Sequence, residues 1–136
     1  MNDENNMTAS MHTGSLDFEN YWGKKLVSVE IIHYLSSIFD SGKFYSAYKK
    51  INNIEDKTVV PSAMGFRYSL GDLGHLDYWM ITITTEDNEI YSTNGSHRCS
   101  IEEKDNGKVI LGVNGDSKRM YISMASGSCS SSLKRI

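Results

Sequence analysis

Four turn signals, Asp87-Asn88, Asn94-Gly95, Asn106-Gly107 and Asn114-Gly115, punctuate the second half of this chain at near-regular spacing. Asparagine and glycine tolerate the positive φ that a tight hairpin demands, so such pairs between β-rich runs are strong hairpin signals. The runs between and beside them are 78–85, 89–93, 99–103, 108–113 and 120–125. They predict an antiparallel meander whose strands pair in sequence order. Within 78–85, Trp79, Ile81 and Ile83 share one face and suit a core, while Tyr78, Met80, Thr82 and Thr84 share the other.

The first half reads with a different period. Trp22, Leu26, Val29, Ile32, Leu35 and Phe39 recur at three- and four-residue steps, and Val27, Ile31, Tyr34 and Ile38 form an adjacent stripe. This spacing predicts a long helix over roughly 17–40, capped by Ser15 or Asp17 and ended by Asp40-Ser41-Gly42. A short second helix is expected over 44–51. From Lys57 the period becomes two, with candidate strands at 57–60 and 66–70, and Pro61 belongs at an edge or in a turn because it cannot donate to a ladder. The expected fold is α+β: a long and a short N-terminal helix packed on one face of a five- to seven-stranded antiparallel meander. Residues 1–14 read as a flexible leader, 15–125 as one domain, and the serine-rich 126–136 as a frayed tail. The expected core includes Trp22, Leu26, Ile32, Leu35, Phe39, Trp79, Ile81 and Ile83.

A chain of 136 residues can bury such a core without a metal or disulfide staple. The N-terminus lacks the basic and apolar regions of a secretory signal, and no window has the length of an apolar membrane span, so a cytoplasmic protein is expected. Cys99 and Cys129 match no metal or redox spacing and read as two reduced thiols. The sequons Asn6-Met7-Thr8 and Asn94-Gly95-Ser96 carry no meaning without secretion.

Net charge is −3 but unevenly spread: −4 over 1–20, +2 over 21–60, −4 over 61–95 and +3 over 96–136. The whole lacks the basic excess of a nucleic-acid binder. His12, His33, His75 and His97 show no metal-ligand spacing. No nucleophile elbow, phosphate loop or dinucleotide fingerprint occurs, so no cofactor is expected. A metal-independent nuclease could use His75 and His97 as base and acid with Arg98 on the phosphate. His97 and Cys99, two apart, would share a strand face as a conceivable thiol dyad.

Acids interleaved with tyrosines over 61–95 point elsewhere. Asp72, Asp77, Glu86, Asp87 and Glu89 would steer a basic protein, and Tyr78 and Tyr91 would supply rigid contact area. The functional expectation is a small non-catalytic binding protein, of the kind that immunity proteins or phage-encoded inhibitors represent, neutralising a basic partner such as a toxin nuclease. The alternative is a small RNase-like toxin or effector using His75, His97 and Arg98. A third reading is an assembly subunit of a phage or secretion machine.

Overall fold

Period two governs the first half as well as the second. In a computed structural model, which describes residues 10–37, 44–70 and 75–136, the stretch expected as a long helix is two strands, and the expected short helix is a third. Ser10–Tyr21 forms β1, Leu26–Ser37 forms β2 and Phe44–Ile54 forms β3. In β2, Val29, Ile31, His33 and Leu35 point inward and are buried, while Glu30, Ile32, Tyr34 and Ser36 alternate outward. The helical stripe mixed residues from both rows. It fitted because Ile32 and Tyr34 make the outward row apolar too, and because β-branched Val27, Val29, Ile31 and Ile32 favour a pleated strand.

Seven further strands follow: β4 (Thr58–Leu70), β5 (His75–Thr85), β6 (Ile90–Thr93), β7 (His97–Arg98), β8 (Lys108–Asn114), β9 (Arg119–Met124) and β10 (Gly127–Arg135). The serine-rich tail expected to fray is therefore β10, and Ser10–Gly14 of the expected leader opens β1; residues 1–9 lie outside the described set. Among the described residues the one helical element is a 3-10 turn at Glu103–Asp105, which starts at the last residue of the expected strand 99–103. No helix there is long and apolar enough to cross a membrane. The α+β expectation is thus replaced by a nearly closed, barrel-like sheet.

The strand order is β3-β2-β5-β6-β10-β9-β8-β1-β4, with β7 also pairing β5. All pairings are antiparallel except β1 with β8. Pairing in sequence order holds for β5–β6, β8–β9 and β9–β10, but β6 turns to β10 rather than to β8. Asn94-Gly95 joins no hairpin. It breaks one edge into β6 and β7, which line up along the same strand.

Inward rows from every long strand fill the interior: Leu16 and Phe18, Leu26 and Ile31, Trp79, Ile81 and Ile83, Leu111, Met120 and Ile122 are all buried. Of the expected core, Trp22, Leu26, Leu35, Trp79, Ile81 and Ile83 are buried, Ile32 faces outward, and Phe39 lies outside the described residues. The Asn114-Gly115 turn needs its glycine for close approach: a Cβ there would collide with the Trp22 carbonyl, against which Gly115 packs while its N–H bonds Tyr21 O at 3.1 Å. The two cysteines, expected as free thiols, form a disulfide from the segment after β7 to β10, with Cα atoms 6.2 Å apart.

Candidate functional site

The first and last strands of the sheet, β3 and β4, are joined by a short turn yet do not pair along their length among the described residues. β4 is irregular beside this seam. Pro61 cannot donate to a ladder, and Ser62 takes a left-handed φ of 49° with its N–H held by the Asp17 carboxylate at 2.8 Å. The β1–β4 register jumps at this bulge, between Leu16 and Phe18. The turn end of the seam is tied down separately. The buried Asn20 amide donates to the carbonyls of Ile54 (3.1 Å) and Glu55 (3.1 Å), and the Asn20 carbonyl accepts Lys57 N–H at 2.7 Å.

Beyond the bulge the seam opens into a surface groove of about 470 Å³, bordered by Tyr45, Ser46 and Ala47 on one side and by Gly65, Phe66 and Arg67 on the other. The Arg67 guanidinium lies 5.2 Å from the Tyr45 ring centroid and bridges the two walls. Gly14 lies at the base, where a Cβ would come within 2.8 Å of the Phe66 ring. Lys49 shares the row of Tyr45 and Ala47 but is exposed.

Next to the groove, the outward face of β3-β2-β5 carries an aromatic and aliphatic surface. Tyr34 and Tyr78 stack at 5.0 Å and 15°, and the Tyr34 hydroxyl hydrogen-bonds Ser96 Oγ at 2.9 Å. One row along, Tyr48, Ile32 and Met80 lie side by side across the three strands. Tyr48 is 57% exposed and donates to Glu30 Oε1 at 2.7 Å; that bond pushes its hydroxyl pKa up. Arg98 sits across from Tyr78, and Lys50 across from Glu30, so cations flank the face.

Behind Phe66 lies a buried polar pair. His33 Nε2 and Asp77 Oδ1 are 2.8 Å apart, and their residues are 1% and 2% exposed. Asp77 Oδ2 also accepts Ile101 N–H at 3.0 Å. The His33 ring packs on Phe66 (4.7 Å) and Trp79 (4.5 Å), and Trp79 Nε1 donates to Cys99 O at 2.8 Å. A His–Asp pair can move protons, but this one is enclosed by aromatic rings and by the disulfide-anchored segment.

The expected site residues scatter. Asp77 is no surface charge: it is consumed inside by His33 and Ile101. Tyr91 is buried against Trp22 at 4.8 Å, with its hydroxyl donating to Glu89. Glu86, Asp87 and Glu89 do gather in the β5–β6 turn, but beside bases. Lys24 reaches Asp87 at 2.6 Å and Glu89 at 3.7 Å, Arg135 reaches Glu89 at 3.6 Å, and Glu86 accepts Lys25 N–H. Hydrogen bonds from Lys24 and Thr85 hold the Asp87 carboxyl down to about 2. Asp72 lies outside the described residues, and Tyr78 alone stands on the aromatic face.

The nuclease set is not assembled. His97 pairs with Trp79 and Arg98 with Tyr78, whereas His75 precedes Trp79 by four positions along β5, roughly 13 Å away. Cys99, in its disulfide, offers no thiol to His97. The residues that sequence reading missed are Ile32, Tyr34, Tyr45, Tyr48, Arg67 and Met80. For Ile32 and Tyr34 the signal is the second apolar row of β2; Tyr45, Tyr48, Arg67 and Met80 join them only through the pairing and closure of β3, β4 and β5. No protein-family model matches the chain, and no curated protein is detectably similar to it.

Proposed function

We propose that this protein is a non-catalytic protein-binding module and that its binding face is the outer surface of β3-β2-β5. The observation that carries this reading is the contiguous apolar and aromatic surface of Ile32, Tyr34, Tyr48, Tyr78 and Met80 on the water side of the sheet. Outward rows of a half-exposed antiparallel sheet are ordinarily polar, and a large apolar patch rimmed by charge is the signature of an interaction surface. Tyrosines supply contact area at low entropic cost.

The partner that fits is acidic at its rim. Arg98 and Lys50 flank the face, while the acids of the β5–β6 turn are neutralised by Lys24 and Arg135 and do not reach toward a basic partner. The Cys99–Cys129 disulfide supports work in an oxidising compartment rather than in the cytoplasm expected from the N-terminus. Affinity capture from the native source followed by mass spectrometry tests the reading. Met80→Arg and Tyr78→Ala should each cost about 2 kcal/mol or more, roughly thirtyfold in affinity, at a central position. His97→Ala should leave capture unchanged. Loss of activity on His97→Ala with the face variants silent would refute the binding reading.

A further inference from the structure

We propose that the β3/β4 groove receives an extended acidic segment of a polypeptide partner by strand addition. This rests on the binding reading in taking a polypeptide as partner. Two strand edges that have no strand partner among the described residues face each other there, β3 over Tyr45–Ala47 and β4 over Gly65–Arg67. Edge strands present rows of backbone donors and acceptors that template pairing with another chain. The groove wall supplies the side-chain complement: Ala47, Gly14 and Phe66 offer apolar contact to every second residue of an inserted strand.

Charge selects the occupant. The bordering spans 11–16, 44–51 and 63–70 contain Arg67, Lys49 and Lys50 and no Asp or Glu. Of the acids on the described strands around it, Asp17 is engaged with Ser62 N–H, Glu30 with Tyr48, and Asp77 inside with His33. Arg67 rests on the Tyr45 ring, a contact that an arriving carboxylate would replace with a charge-assisted hydrogen bond.

A fluorescein-labelled alternating Glu-Val octapeptide, read by anisotropy and amide exchange on the full chain, tests this. Saturable binding that weakens with salt is expected, with slowed exchange within 45–49 and 63–67. Arg67→Glu should weaken it about tenfold or more and shift preference to the Lys-Val counterpart, because opposite charge steers and like charge repels. Ala47→Trp, which fills the groove, should also weaken it. Met80→Arg, on β5 and two strands away from β3, should leave it unchanged. Absent binding, equal binding of the two peptides, or indifference to both groove variants overturns the proposal. Natural-partner capture still lost on Met80→Arg would then leave the face reading standing alone.

Discussion

Two parts of the barrel treat polar groups in opposite ways. Around Asp77 and Asp105, acids withdrawn from water are met by donors within the chain, most of them from distant segments. His33 and Ile101 serve Asp77; Ser126 and the Glu102 N–H serve Asp105. Along the β3/β4 groove the strand edges meet no other strand among the described residues, and Lys49 and Lys50 stand exposed. Groups satisfied within the chain hold the fold together, and removing them costs stability. Groups left without an internal complement cost little to remove and are the ones available to a partner. The contrast therefore predicts a gradient of effects.

The steepest effect falls on Asp77. Asp77→Ala strips partners from His33 and Ile101 N–H in the buried interior and should cost about 3–5 kcal/mol, from two buried groups left unsatisfied at about 1–3 kcal/mol each. Urea unfolding measures it, and a loss under about 1 kcal/mol would mean that water reaches this end. Replacing Cys99 and Cys129 by serine comes next. For cysteines separated by 30 positions the lost cross-link should cost about 3–4 kcal/mol.

Asp105 gives a smaller effect with a pH signature. Burial pushes its carboxyl up, but the Glu102 N–H and the Ser126 hydroxyl and N–H outweigh burial and hold it below 3.8. A folded-state pKa lowered this way adds stability that is complete above the unfolded value and fades as pH falls through the folded one. Asp105→Asn should cost about 1–3 kcal/mol at neutral pH. It should also flatten the loss of stability below about pH 4 in acid titrations followed by circular dichroism. The smallest effect belongs to the groove: Arg67→Ala gives up an exposed cation–π contact worth about 0.5–1 kcal/mol. A cost near that of Asp77→Ala would show that the groove walls hold the fold, and the contrast would collapse.

How much of this was legible in the sequence follows from where the rows of side chains point. The strands β5, β6, β8 and β9 fall in runs bounded by turn pairs, and polar outward residues such as Thr82, Thr84, Ser92, Lys108, Arg119 and Ser123 let the alternation show. In β2 the same alternation is hidden twice. His33 places a polar residue in the inward row, and Ile32 and Tyr34 place apolar ones in the outward row. The first departure serves the interior, where His33 meets Asp77; the second falls on the half-exposed outer face proposed above as the binding surface. An inward polar residue and outward apolar ones together disguise β2 as a helix. Asp77 could not be told from a surface acid, since its partner lies 44 residues away, and the acids of the β5–β6 turn meet Lys24 only once the chain has folded. The serine-rich β10 looked unstructured because its inner contacts are few, Leu133 being its one fully buried side chain, and much of its hold comes from pairing with β9 and β6.

The position of β1 carries a consequence for how the molecule comes into being. β1 is held on one side by β4 and on the other by β8, in the sheet's parallel pairing. At about 5–20 residues per second a ribosome needs several seconds between releasing β1 and releasing β8. During that interval Leu16 and Phe18 have half of their neighbours still unmade, and no early domain can close around them. Birth of the fold is therefore a late, collective event, slow for its size because so many of its contacts join distant stretches. A nascent chain halted before Lys108 would present β1 with one flank bare, a template for chaperones or for aggregation.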